Sequence, residues 1–431
     1  MSDHLAVVEE SAPAVPPSGP TPRKAAMAFI MVTVLIDMMA IGVMLPVLPH
    51  LVGRFTQSND EQTLAFLAVT GAFGLANFLG SPVLGALSDR FGRRPLLLLG
   101  FTGLALSFFV TAMANALWVI VVVRLFSGAM QSNIAVANAY VADITAPADR
   151  AKRFGQLGAM FGIGFILGPV MGGILGEIDI HLPFYVAGCL ALVNGAYGFF
   201  VLPESLPLER RRPFVWQRAN PISALKGLAS LKGIGPLVYV IALAGLAQFM
   251  LYSIWVLYTK FKFGWGPAQV GWSLFAVGVT SVIAQGVLLK PLLKRYSPRR
   301  LAAAGLISGA VSYLCYGLVT QGWMLFVVIG LGLIGGAAQS AMQSIISNAA
   351  DARSQGQTMG SVSSLNSLMQ VFSPLIGLEI LRWVSHRPQG DWLIGLPFYV
   401  CAGLQLIAAV IAIRFFTLHP EPPVVPAAKV A

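Results

Sequence analysis

The feature that most constrains this chain is a recurrence. Stretches of about 20 apolar residues, each nearly free of charge, follow one another along the chain, and a helix of that length crosses the hydrocarbon core of a bilayer. Twelve such runs lie near 27–49, 63–86, 95–114, 117–141, 154–177, 182–202, 235–258, 268–289, 300–319, 322–347, 357–382 and 393–416. Only 10% of the residues are charged and 56% are hydrophobic, whereas soluble proteins carry roughly a quarter charged residues. The chain reads as an all-α membrane protein.

The net charge of +11 is explained by where the cations fall. Counting from a cytoplasmic N-terminus, most of them collect on one side, in clusters such as Arg90, Arg93 and Arg94, Arg150, Lys152 and Arg153, and Arg210, Arg211 and Arg212. The other side holds Arg54, Lys260, Lys262, Arg382 and Arg387. This asymmetry follows the positive-inside rule and places both termini in the cytoplasm. The basic balance therefore reports topology, not a nucleic-acid partner. Residues 1–25 are rich in Pro and Ala and read as a disordered cytoplasmic tail. The first apolar run is too long for a cleaved signal and reads as an uncleaved first span. Cys189, Cys315 and Cys401 all fall within spans, without disulfide or metal-type spacing.

One long loop, 203–234, divides the runs into two sets of six: an N-terminal bundle over 26–202 and a C-terminal bundle over 235–416, with a short cytoplasmic tail at 417–431. The halves echo each other. LPFYVAG at 182–188 returns as LPFYVCAG at 396–403, and GALSDRFGRRPLLLLG at 85–100 returns in degraded form as KPLLKRYSPRRLAAAG at 290–305. Parallel repeats of six spans are the mark of transporters whose two pseudo-symmetric bundles rock about a midplane site.

Two charges lie deep within spans. Asp37 sits ten residues into the first run, about 15 Å along a helix and so near mid-depth. A charge there costs at least about 2.5–3.5 kcal/mol, so it implies a cavity, a partner or a bound proton. Arg124, in the fourth run, can pair with Asp37. Between runs two and three, Gly85 is suited to a close helix approach and Gly92 to a tight turn. In the same loop, Asp89, Arg93 and Arg94 can latch one bundle against the other through forked ion pairs. In the fifth run Gly164, Gly168, Gly172 and Gly176 recur every four residues, with Pro169 and Gly173 among them. That face suits a tight contact between the bundles. Neutral polar residues scattered through the spans are candidates for substrate contact: Asn77, Gln131, Asn138, Gln248, Gln285, Gln339 and Gln343. For each, a helix–helix hydrogen bond is the structural alternative.

GALSDRFGRRP resembles the loop motif of the major facilitator superfamily, and GIGFILGPVMGG at 162–173 resembles the fifth-span motif of its drug/proton antiporters. LIDMMAIGVMLPVLP, VRLFSGAM, YVADIT, WVLYTKFKFGW and VGWSL look like the tetracycline/proton antiporter branch. The resemblance runs from about Asp37 to Trp392 and implies the major facilitator fold. It also implies that Asp37 is a first-span acid needed for function and Arg124 the fourth-span arginine, together serving proton coupling. Asp89 and Arg93 match the gating loop, Asp143 the acid that pairs with the loop arginine when the cytoplasmic side is shut, and Gln285 a drug-contact glutamine. The chain departs from the branch at Ser107, Ser281 and Gly309, where the branch has an acid, a histidine and an acid.

These residues imply proton-coupled efflux of an amphipathic drug, tetracycline-like as first choice, from a bacterial inner membrane. The proton gradient supplies the energy, no cofactor is implied, and a divalent cation can travel with the drug. A monomer in the lipid bilayer is expected. The three departures keep open a second reading, a metabolite or other small-molecule transporter of the same fold without proton antiport. An enzyme is not indicated. His4, His50, His181, His386 and His419 lie in tails or at span ends, and no catalytic or metal-ligating constellation accompanies them.

Overall fold

The structure, a computed structural model, describes residues 22–130, 133–145, 149–211, 213–214, 235–333, 335, 342, 345 and 355–419. A bilayer core offers no water to backbone N–H and C=O groups, so a chain this apolar must satisfy them within helices. The first half forms α1 (Pro22–Met44), α2 (Leu48–Gly53), α3 (Asn59–Phe91), α4 (Arg93–Ala112), α5 (Leu117–Met130), α6 (Asn133–Ile144), α7 (Arg150–Ile178) and α8 (Leu182–Val201). The second forms α9 (Gly235–Phe263), α10 (Pro267–Val282), α11 (Leu289–Arg295), α12 (Pro298–Leu318), α13 (Gly322–Leu331), α14 (Gln355–Val384) and α15 (Leu396–Leu418). A π-helical stretch, Ile283–Leu288, links α10 to α11. Among the described residues, nine helical segments are long and apolar enough to cross a membrane, while α5 and α13 are shorter apolar pieces. Residues 1–21, most of the loop 203–234 and the chain beyond 419 lie outside the described residues.

The first run is not one uninterrupted helix. It breaks after Met44 into a turn at 45–47, closed by Val47 N–H donating to Met44 O at 3.1 Å, and resumes as α2. Pro46 and Pro49 explain the break: neither donates a backbone N–H, and Pro49 fits only the first turn of a helix. The fourth run is covered by α5 and α6, with 131–132 between them outside the described residues.

Within the first half, α1 packs along α7 and α8, α3 along α5, and α4 along α8. Within the second, α9 packs along α14 and α15, and α12 along α15. The halves meet along two lines, α7 against α10 and α3 against α14. The internal repeat takes the same form in both halves. α8 and α15 each begin Leu-Pro-Phe-Tyr-Val with the proline in the first helical turn, and Phe184 and Phe398 are both fully buried in the core. Trp118, Phe200, Trp323, Trp383 and Trp392 are exposed on the rim, where aromatic side chains suit a bilayer interface.

Candidate functional site

The deep charges sit where α1, α5 and their neighbours meet. Asp37 is 4% exposed and Arg124 6%. Seven residues separate Asp37 from Met44, so both project from the same face of α1, about 10 Å apart along its axis. The Arg124 guanidinium donates to Met44 Sδ and lies 5.8 Å from the Phe73 ring centre. It is therefore directed to the end of α1. Its Nε is buried without a hydrogen-bond partner among the described residues.

Two more buried polar groups flank Asp37 that sequence reading passes over. Asn194 of α8 donates to Thr33 O at 3.1 Å, one turn before Asp37. Asn194 Oδ1 and Thr33 Oγ1 are buried without hydrogen-bond partners among the described residues. The signal for Asn194 was a lone amide in an otherwise apolar run.

The 85–94 loop forms a compact network. Gly92 has φ of +107°, a conformation that favours glycine, and a Cβ there would run into Glu204. Arg93 follows as the first residue of α4. Its Nη1 lies 2.6 Å from Asp89 Oδ1, and its Nε donates to Asp143 Oδ2 at 3.2 Å. Nη1 also donates to Ser88 Oγ at 2.5 Å. Glu204, just past α8, accepts from Arg93 N at 2.8 Å and Arg94 N at 3.3 Å, so a carboxylate caps the positive end of α4. Glu204 is the functional-looking acid that motif reading missed; its signal was a lone acid in PESLP. Arg94 Nη2 donates to Phe199 O at 2.7 Å. Among the described residues, the partners in this network belong to the first half or, for Glu204, to the start of the connecting loop, so these bonds hold one bundle together. Gly85 is not at a close helix approach: a Cβ there would meet no described atom within 4 Å.

The α7 glycines divide into two groups. Cβ atoms at Gly164, Gly168 and Gly172 would press on Leu35 O and Met38, on Met39 O and Gly42, and on Val43 O, all on α1. These three positions bind α7 into its own half, whereas Gly176, the last of the four, lies against both Val47 and Pro267 and so reaches the second half. Neighbouring positions extend that contact. Gly173 lies against Pro267 O and Gly271 of α10, and Gly271 in turn against Pro169 O.

At the end away from the 85–94 loop, the halves are joined directly. Arg382 Nε reaches Asp60 Oδ1 at 2.9 Å while its Nη1 holds Glu379 at 3.0 Å. Asn59 Nδ2 donates to Ser385 O at 3.2 Å, and Lys260 Nζ to Gln62 Oε1 at 2.5 Å. Ala268 N donates to Glu177 Oε1 at 3.2 Å, placing a carboxylate at the N-terminus of α10. His50 Nε2 lies 3.2 Å from Trp265 O. Apart from the Arg382–Glu379 pair, each of these hydrogen bonds and ion pairs joins the halves at this far end.

The neutral polar candidates scatter. Asn77 donates to Gly128 O at 3.4 Å across α3 and α5, and Gln248 accepts from Tyr313 O–H at 3.3 Å across α9 and α12. Asn138 is exposed, as is Gln285 on the π-helical stretch. Gln131, Gln339 and Gln343 lie outside the described residues.

Residues 30–261 and 237–431 each match the family model described as Major Facilitator Superfamily. The tetracycline resistance protein, class C, of Escherichia coli is 35% identical over 376 residues, which cover 87% of this chain and 94% of that one. The class D protein of Salmonella ordonez is 35% identical over 370 residues, covering 86% and 93%. A solved bacterial homologue of the human lysosomal transporter Spinster, inward-facing and unoccupied, superposes with a TM-score of 0.71 at 15% identity, over 94% of this chain and all of that one.

Proposed function

We propose that this chain, which belongs to the major facilitator superfamily and is a multi-pass membrane transporter, exports an amphipathic drug in exchange for protons. Tetracycline is the first substrate to try, since relatives 35% identical along almost the whole chain are named for resistance to it. The observation that carries proton coupling is the burial of Asp37 inside the first span, one turn beyond the Thr33 carbonyl that Asn194 holds. A carboxyl in that position holds a proton in one state and gives it up in another, at no chemical step. Arg124, which reaches from α5 to Met44 two turns further along α1, is the positive charge that a deprotonated Asp37 pairs with when the helices shift.

In this reading the membrane is the bacterial inner membrane, the loop end faces the cytoplasm with both termini, and the bonded far end faces outward. The structure would then be the state that loads from the cytoplasm, by a monomer whose bundles span 26–202 and 235–416. A divalent cation would pass as part of the drug complex.

A second reading is favoured by one specific observation. Ser107, Ser281 and Gly309 carry no ionisable group, so a transporter of other small molecules without proton antiport uses the same scaffold. Inside-out vesicles energised by respiration separate the two. With wild type, adding tetracycline and then a panel of drugs should release protons, and Asp37→Asn should cut that release at least tenfold. Well-expressed wild-type protein that releases no protons with any drug would reject antiport and leave the second reading.

A further inference from the structure

We propose that the seam closing the far end contains an anion site, which takes a carboxylate or phosphate group between Lys260 and Arg387. A cavity of about 390 Å³ opens there, walled by His50 and Asn59 of the first half and by Lys260, Arg387 and Gln389 of the second. Its lining includes two formal cations and no acid.

Lys260 is half-buried, and its ammonium meets the neutral Gln62 amide oxygen; among the described residues no carboxylate lies within 4 Å of it. An ammonium held partly out of water without a countercharge is costly, and an entering anion removes that cost. Arg387 touches Asp391 only at 3.9 Å, beyond hydrogen-bonding distance. Asp391 uses its other oxygen to accept from Leu393 N at 2.9 Å. Most of the guanidinium fork is therefore available to grip an oxyanion in two places. The remaining acids nearby are engaged elsewhere: Glu177 at the N-terminus of α10, Asp60 with Arg382.

His50 fixes the position of the wall across the halves. Its Nδ1 lies 3.0 Å from Pro46 O and its Nε2 3.2 Å from Trp265 O, so the ring is held in the wall between two carbonyls, one from each half. Asn59 and Gln389 supply neutral amide donors at the wall. The volume exceeds what inorganic phosphate needs, so the site admits a small organic acid, a phosphate monoester or the headgroup of an anionic lipid. Because both halves form its wall, separating them takes the site apart. A bound anion therefore favours the state with this end shut.

The test uses the full-length protein in neutral detergent, with thermal unfolding followed as inorganic phosphate replaces chloride at constant ionic strength. Wild type should show a saturable rise in Tm. Arg387→Gln, which leaves the Lys260–Gln62 bond in place, should weaken the apparent affinity at least tenfold, and Arg387→Lys should retain part of it. Nanodiscs of phosphatidylcholine with or without phosphatidylglycerol form the second arm. Stabilisation by phosphatidylglycerol but not by free phosphate, again lost in Arg387→Gln, identifies the occupant as a lipid headgroup. Stabilisation by either source that is unchanged in Arg387→Gln would place the anion elsewhere and overturn the proposal, as would no stabilisation from either.

Discussion

At the loop end, Arg93, Asp89, Asp143 and Glu204 bind helices of a single half to one another; at the far end, Asp60, Arg382, Lys260 and Glu177 bind one half to the other. The bonds are chemically alike, and their placement gives them opposite consequences. Those at the loop end travel with a rigid bundle and survive its movement. Those at the far end must break whenever the halves part. A transporter that rocks needs both kinds: strong bonds where shape is kept, weak and replaceable ones where it changes.

The waist between the two ends tests this division most severely. A Cβ at Gly172 would fall 1.9 Å from Val43 O, within one half, whereas a Cβ at Gly173 would fall 2.7 Å from Pro267 O, across the halves. Gly172→Ala should destabilise the protein toward the upper part of the about 1–3 kcal/mol that overpacking costs. A thermal-melt assay should show it as a lower Tm in every conformational state. Gly173→Ala should instead relieve its clash by parting the halves, with a smaller fall in Tm and greater access at the far end. Equal effects from the two would erase the distinction.

Arg93→Ala should come next, at about 1–3 kcal/mol of lost stability, discounted because Asp89 is 45% exposed and Asp143 23%. Arg93→Lys should recover only part, since a single ammonium cannot reach Ser88, Asp89 and Asp143 together. If Arg93→Ala left Tm unchanged and altered only transport, the loop network would belong with the moving contacts.

Asn59→Ala combined with Glu177→Gln should leave Tm nearly unchanged. Its effect should appear in the accessibility of a cysteine placed at His50, with Cys189 replaced by serine to remove the exposed native thiol. Labelling should rise roughly two- to fivefold, as expected from losing the Asn59 bond and weakening the Glu177 one, together about 0.4–1 kcal/mol in favour of one state. The smallest effect belongs to Gly85→Ala. In open space on a helix, it should change stability by no more than about 0.5–1 kcal/mol, and in the stabilising direction. Impaired transport in a stable Gly85→Ala protein would mean that the close approach missing here is made in another state.

What the sequence reveals of all this follows from what a bilayer forces. The nine spanning helices found among the described residues and the repeated LPFYV starts are legible because span length and helix periodicity leave little choice. Gly92 is legible as a turn because its φ of +107° favours glycine. Identity of neighbours is not legible. Spacing places Gly164, Gly168 and Gly172 on one face, but only the assembled bundle shows that α1 covers it. The break at 45–47 has its cause in Pro46 and Pro49, yet a run of apolar residues conceals it. Glu204 acts on α4 from more than a hundred residues away, and a linear motif cannot contain it.

The π-helical stretch at Ile283–Leu288 gives the eighth span a slack link. Above it, α10 is pinned to α7 through Gly271 and Gly278; below it, α11 ends in Lys294 and Arg295, and no described atom lies within 4 Å of a Cβ at Gly286. A π turn holds about one residue more than an α turn over the same ladder, so tightening it to α geometry turns everything beyond it by roughly 100°. Such a turn would re-aim Gln285 and Val287 around the axis while the pinned upper segment stays still. The eighth span can thus transmit a twist at one end without tearing its seam at the other.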